Sequence, residues 1–342
     1  MGVAAPNGPV SRDGARIASI DILRGLVMAL MALDHSRDFF GEGGFNPRDV
    51  TDPALFLTRW ITHLCAPTFI FLAGLSAFLH GRGRSVAEVS RFLFIRGLWL
   101  IAIEFTVVRL AWTFNLDFGG AFTAGVIWAI GASMVVLSAL IWLPRWAIAA
   151  VALTMIAGHN LLDGVRAEDL GEGAAVWHVL HQRGLVQLGD GVRVFVLYPL
   201  IPWIGVMAAG YLLGPTMALE ADARKRVLLK LGAAFTIGFV LLRATNLYGD
   251  PAPWGVQENW LATVLSFLNC EKYPPSLLYL IHALTVAAGY AMTGVLSRNP
   301  EIGLNLAAIY LVWLLVLVLL YPLCLCFAGL KQRGRGWWWR YL

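Results

Sequence analysis

The chain has 342 residues, is 58% hydrophobic and only 14% charged, and carries a formal net charge of +5, with a mean hydropathy of +0.69. Soluble domains hold roughly a quarter charged residues, so the composition excludes an ordinary soluble enzyme and points to a polytopic membrane protein. The positive charge is spread over short loop clusters, which fits membrane orientation rather than nucleic-acid binding.

The first sixteen residues contain Arg12, Asp13 and Arg16 but no apolar core, so they are not expected to be a cleavable signal peptide; 1–16 reads as a short cytoplasmic tail. Spans of about 20 mostly apolar residues are expected near 17–39, 60–79, 92–113, 122–143, 146–162, 194–214, 229–246, 274–296 and 304–328. The fold class expected is all-α, a polytopic bundle of about 9–10 transmembrane helices over 17–330, closed by a basic, aromatic cytoplasmic tail at 331–342. Arg82, Arg84 and Arg91, then Arg145, then Arg224-Lys225-Arg226, and the tail residues Lys331, Arg333, Arg335 and Arg340 mark the inside faces. The N-terminus is then cytoplasmic. The loops 40–59, 114–121, 163–193 and 247–258 fall outside, and "AVWHVLHQRGL" in the third reads as an amphipathic interfacial segment. Nine spans would leave the basic C-terminus outside, so "NWLATVLSFLNC" (259–270) is expected to make a short or re-entrant crossing, unless the tail breaks the charge rule. The four cysteines, Cys65, Cys270, Cys324 and Cys326, lie in or beside apolar runs with no metal-ligand or disulfide spacing.

The first span, "RGLVMALMALDH", starts on Arg24 and ends on Asp34-His35. Eleven residues advance about 1,100°, three turns plus about 20°. Arg24 and His35 therefore share a face, with Met28 and Met31 between them, Asp21 one turn below Arg24, and Asp34 about 100° away. Ionisable groups inside a bilayer face a bundle interior or a wet cavity, and histidine is the side chain whose pKa suits a general base near neutrality. A plain alternative stands beside this: Asp21 and Arg24 pair at the interface and His35 sits among headgroups.

In the second span Arg59 and His63 share a face, Pro67 is expected to kink the helix, and Gly74, Ser76 and Ala77 permit close helix approach. His63 serves equally as a packing histidine or a site residue. Glu104 and Arg109 in the third span are each expected to find a partner on another helix. Pro274 and Pro275 are expected to open a helix with Lys272 and Tyr273 at its outer mouth and His282 inside it. No phosphate-cradling glycine loop, nucleophile elbow or zinc-protease helix occurs.

"RIASIDILRGLVMALMALDH", "THLCAPTFIFLAG" and "KYPPSLLYL" resemble landmarks of the bacterial branch of the heparan-α-glucosaminide N-acetyltransferase catalytic-domain-like family, and the spacing of Arg24 and His35 is similar to a first-helix signature of acyltransferase family 3. The resemblance implies a multi-pass protein of the bacterial inner membrane that takes acetyl-CoA or another acyl-CoA as donor from the cytosol. The implied acceptor is a carbohydrate or lipid-linked molecule on the outer side. Membrane lipid is a further partner, self-association stays open, and no metal or nucleic acid is implied. In the lysosomal enzyme the catalytic histidine lies in the outer loop before the second helix; "TDPALF" here has none. Bacterial relatives also carry a longer segment where "KYPPSLLYLIHAL" runs straight through.

On this reading His35 deprotonates the acceptor or carries the acyl group, with Asp34 orienting it and His63 as the other catalytic candidate. Arg24, oriented by Asp21, binds a CoA phosphate, and Arg59, Glu104, Arg109, Lys272 and Tyr273 contact substrate. A transporter or flippase using the same polar stripe and a non-catalytic membrane scaffold are the rival readings.

Overall fold

The computed structural model describes residues 18–40, 48–116, 118, 120–189, 191–289, 310–311, 313–314 and 317–318. Cys324, Cys326, both terminal tails and most of the expected 304–328 span lie outside these residues. The architecture is predominantly helical. Helix α1 spans Ala18–Phe40, α2 Pro53–Thr62 and α3 Cys65–His80. Asp52 starts α2 by accepting from the Ala54 and Leu55 amides at 3.1 and 3.0 Å, with Pro53 at the first helical position. The helix breaks at His63-Leu64 because Pro67 has no N–H to offer the carbonyl four residues earlier. That carbonyl, His63's, accepts instead from the Tyr279 hydroxyl at 2.9 Å.

A Ser85–Glu88 capping box opens α4, Val86–Ile103. The same rod continues through one π-helical turn, Glu104–Val108, into α5, Arg109–Thr113. Beyond come α6 (Val126–Leu140), α7 (Arg145–Ala157), α8 (Ala174–Leu180), α9 (Leu200–Leu213), α10 (Ala221–Thr245), α11 (Trp260–Leu268) and α12 (Leu277–Gly289). Among the described residues, three helical stretches are long and apolar enough to cross a membrane: Pro53–His80, Leu200–Ala218 and Asp222–Thr245. The last turns Leu229, Ile237, Val240 and Leu241 outward, as a lipid-facing helix does.

The all-α expectation is corrected by a small sheet. Strands β1 (Ala121–Ala124), β2 (Gly184–Leu188) and β3 (Val192–Val196) stand in the order β1-β3-β2, β1 parallel and β2 antiparallel to β3. "VRVFV" alternates two-residue fashion, which is a strand period, and Val186, Val196 and Ala124 form a buried cluster beneath the sheet. The expected spans at 122–143 and 194–214 are therefore helices entered through strands. The "AVWHVLHQRGL" segment is divided between α8 and β2.

The core is set by two close crossings. A Cβ on Gly74 would strike the Met207 carbonyl and one on Gly210 the Phe71 carbonyl, so α3 and α9 meet backbone to backbone. Gly97 and Gly131 do the same for α4 and α6. Around these, α12 packs between α3 and α10, and α1 lies on α2 and α3. Helix α11 has nine residues, about 14 Å of rise against the roughly 30 Å of a hydrocarbon core. It returns to the side it left: Asp250 before it accepts from the Glu271 amide (2.9 Å) and the Ser276 hydroxyl (2.8 Å) after it.

Candidate functional site at the junction of α1, α2 and α12

The covered face of α1 runs through Val27, Leu30 and Asp34, residues that fall on one stripe at helical spacing. Asp34 accepts from the Thr62 hydroxyl at 2.7 Å and pairs with Arg37 at 2.6 Å, so it pins the C-terminal end of α1 to α2. Arg37 also reaches Asp38 at 2.9 Å. His35 lies about 100° round the helix, its ring edge-on to Trp112 at 5.0 Å, and its buried Nδ1 has no hydrogen-bond partner among the described residues. The polar stripe expected from Arg24 to His35 is not a covered path there, since Met28 between them is 47% exposed. The stripe's arithmetic holds; the buried edge is Asp34's, because the apolar positions Val27 and Leu30 choose which side of α1 faces the bundle.

Helix α2 contributes Arg59, and His63 follows at its C-terminal cap; both are buried. His63 packs edge-on against the Tyr279 ring at 5.2 Å, and its sealed Nε2 has no hydrogen-bond partner among the described residues. From the other side comes the turn before α12. Ser276 caps that helix, its hydroxyl accepting from the Tyr279 amide at 3.0 Å, so the two prolines lie in the turn rather than in the first helical positions. The turn presents Lys272, 8% exposed, with its ammonium 5.2 Å from the Tyr273 ring centre. Tyr273 meets Tyr198 hydroxyl to hydroxyl at 3.5 Å. Burial alone would discharge Lys272, but Tyr273 and Asp34 outweigh it and hold the ammonium charged above the usual lysine range.

Three residues outside the expected set fix this turn. Arg243, 1% exposed, donates to the carbonyls of Phe267 (2.9 Å), Ser266 (3.2 Å), Asn269 (2.8 Å) and Ala252 (2.9 Å), closing the C-terminal end of α11. Asp250 stands 3.8 Å from it and carries the bonds to Glu271 and Ser276. Burial raises the Asp250 carboxyl above the ordinary carboxylate range, its hydrogen bonds and Arg243 opposing. His159, at the end of α7, brings Nε2 to 2.8 Å from the Pro275 carbonyl. Nothing in the periodicity of "AGHNLL" or "YGDPAP" announces such long-range bonds; a buried charge beside an apolar run was the available signal, and only Arg243 carried it.

The remaining expected residues lie in other networks. Arg24 donates to the Ser76 hydroxyl on α3; the Asp21 side chain is outside the described residues. Glu104 does find another helix, accepting from the Gly125 and Trp128 amides at 3.2 and 2.9 Å at the start of α6, where a carboxylate complements the helix dipole. Arg109 donates to the Asn115 carbonyl at 3.0 Å and lies over Phe118 and Phe122 at 4.8 and 5.0 Å. Asn115, Phe118 and Phe122 belong to the segment that follows its own helix. Cys65 and Cys270 are buried free thiols.

Apolar helices of this length mark a membrane protein. Residues 16–244 match the family model of the heparan-alpha-glucosaminide N-acetyltransferase catalytic domain, and the chain belongs to that family of transmembrane acetyltransferases. No curated protein and no solved structure matches it.

Proposed function

We propose that the protein transfers an acyl group, acetyl in the first instance, from acyl-CoA to a hydroxyl or amine of a carbohydrate or lipid-linked acceptor. The reaction is assigned to the outer junction of α1, α2 and α12, in a bacterial inner-membrane protein with a cytoplasmic N-terminus and one membrane domain over 17–330. The observation that carries the reading is the buried Lys272 ammonium in the turn before α12, a helix whose Tyr279 meets His63 by ring and by hydroxyl. A fixed cation beside histidines is what acyl transfer uses. A base removes the acceptor proton, the acceptor oxygen or nitrogen bonds to the thioester carbon, and a cation steadies the oxyanion. As the C–S bond breaks, the thiolate takes the proton from the imidazolium and leaves as free CoA.

His35, at the partly open rim, is assigned as base, with Asp34 holding the end of its helix against α2; His63, sealed beneath, is the reserve candidate. Lys272 and Arg59 supply positive charge at the carbonyl, and Tyr273 lines the mouth. Purified protein in nanodiscs, given acetyl-CoA and a panel of amino- and hydroxy-sugars, should release CoA in an acceptor-dependent manner. Release that never exceeds the protein-free control would overturn the reading in favour of transport or scaffolding.

A further inference from the structure

The flank of α1 that carries His35 is closed by aromatic rings. His35 points about 100° away from Asp34 and the covered stripe, towards the end of α5, where its ring meets Trp112 edge-on at 5.0 Å. Phe39, one turn further along α1, stacks on the same indole at 4.7 Å with 15° between the planes. The two rings stand against the imidazole flank yet are themselves open, Phe39 by 47% and Trp112 by 41%. The apolar surface runs on through Phe40 on one side and Val107, Phe114 and Leu116 on the other, all exposed. Phe114 ends α5 in the left-handed conformation, φ 49°, so the chain turns away there and leaves the ring outward. Charge lies at the same level, since Arg37 and Asp38, between His35 and Phe39, pair at 2.9 Å. Aromatic rings beside charged groups are the composition of a membrane's headgroup boundary.

Soluble and lipid-borne acceptors reach a base by different routes. A soluble acceptor comes from water, past Lys272 and Tyr273, and its base belongs in that mouth. His35 stands instead behind two rings whose free faces are apolar and meet the bilayer. We infer that the acceptor is a membrane lipid whose headgroup carries the reacting hydroxyl or amine, and that it enters sideways from the outer leaflet between the C-terminal ends of α1 and α5. Its chains lie along Phe39 and Trp112, and its headgroup sits at the level of Arg37 and Asp38, within reach of His35. The headgroup oxygen or nitrogen bonds to the thioester carbon and the C–S bond breaks. The displaced proton passes through His35 to the thiolate, so the products are acylated lipid and free CoA. The inference rests on the acyl-transfer reading for the reaction, and on the ring arrangement alone for the route.

The test uses full-length protein in nanodiscs of phosphatidylcholine, whose headgroup has neither a hydroxyl nor a free amine. Glucosamine is offered in two forms, as the methyl glycoside in solution and as the dioleoylglycerol glycoside in the disc. Native mass spectrometry reads retained glycolipid, and a thiol assay reads CoA released from acetyl-CoA. The wild type should retain the glycolipid and turn it over at least about tenfold faster than the methyl glycoside. Phe39→Ser/Trp112→Ser should retain it about ten- to a hundredfold less well, the worth of an aromatic ring's apolar contact, and Trp112→Phe should keep part of that. Both rings are exposed, so folding should survive; thermal melting checks it. Equal retention in wild type and the serine pair overturns the proposal, as does a wild type that retains no glycolipid. Methyl glycoside used as well as glycolipid also overturns it while upholding acyl transfer. A dimer mass that the serine pair abolishes, with no glycolipid held, gives the rings to a second copy of the chain and overturns it too. Ring-dependent retention with no CoA released from either form sinks the acyl-transfer reading and leaves the lipid route standing.

Discussion

The Tyr279 hydroxyl donates to the His63 carbonyl at 2.9 Å, across 216 residues of sequence, at the one turn where Pro67 leaves that carbonyl without its helical partner. The bond joins the broken second span to α12 and sets the backbone on which His63 is carried.

Tyr279→Phe keeps the ring against His63 and removes only the donor. The abandoned carbonyl is buried, so a loss of about 1–3 kcal/mol is expected, read as a lower unfolding temperature in detergent. An unchanged melt would mean that water or another donor replaces the hydroxyl.

His35→Ala should depress the maximal rate of acyl transfer by at least about a hundredfold, the usual contribution of a positioned base, with little effect on melting. If turnover survives in His35→Ala and collapses in His63→Ala, the base is His63.

Gly74→Ala tests the α3–α9 crossing. The new methyl meets the Met207 carbonyl, and overpacking of this kind costs about 1–3 kcal/mol. Gly25→Ala, where a Cβ meets nothing within 4 Å, is the matched control and should melt like wild type.

Asp250 gives a pH signature. Its folded carboxyl is raised by burial, so the folded state binds this proton more readily than the unfolded chain, whose aspartate titrates near 3.9. Asp250's contribution to stability therefore improves as pH falls from the raised value towards about 3.9, and its cost is complete above the raised value. Wild type should gain stability relative to Asp250→Asn as the pH is lowered through that window. The opposite slope would show that Arg243 attracts the carboxylate more strongly than burial penalises it.

Much of the helical plan was legible because apolar runs are local, but the helix starts were not: Asp52-Pro53 and the Ser85–Glu88 box open helices at Pro53 and Val86, ahead of the spans expected from near 60 and near 92. The sheet was less legible, since short apolar strands such as "VRVFV" abut helices and merge with them in a hydropathy window. At the site, the sequence singled out Asp34, His35, Arg59, His63 and Lys272 as expensive residues, and their partnerships remained hidden. Thr62, Ser76, Asp250 and Tyr279 are ordinary residues made important by contacts from 26 to 216 positions away, which no spacing rule within one helix can reveal.

Glu104 bears on how this chain enters a bilayer. Its carboxylate is 5% exposed and rests on the first amides of α6, and the two helices touch backbone to backbone at Gly97 and Gly131. Released alone into hydrocarbon, α4 would carry a naked anion, and α6 would carry amide donors with nothing to accept them. Each is the other's solvent. The pair should therefore leave the insertion machinery as a hairpin, with the second helix awaited before the first is let go.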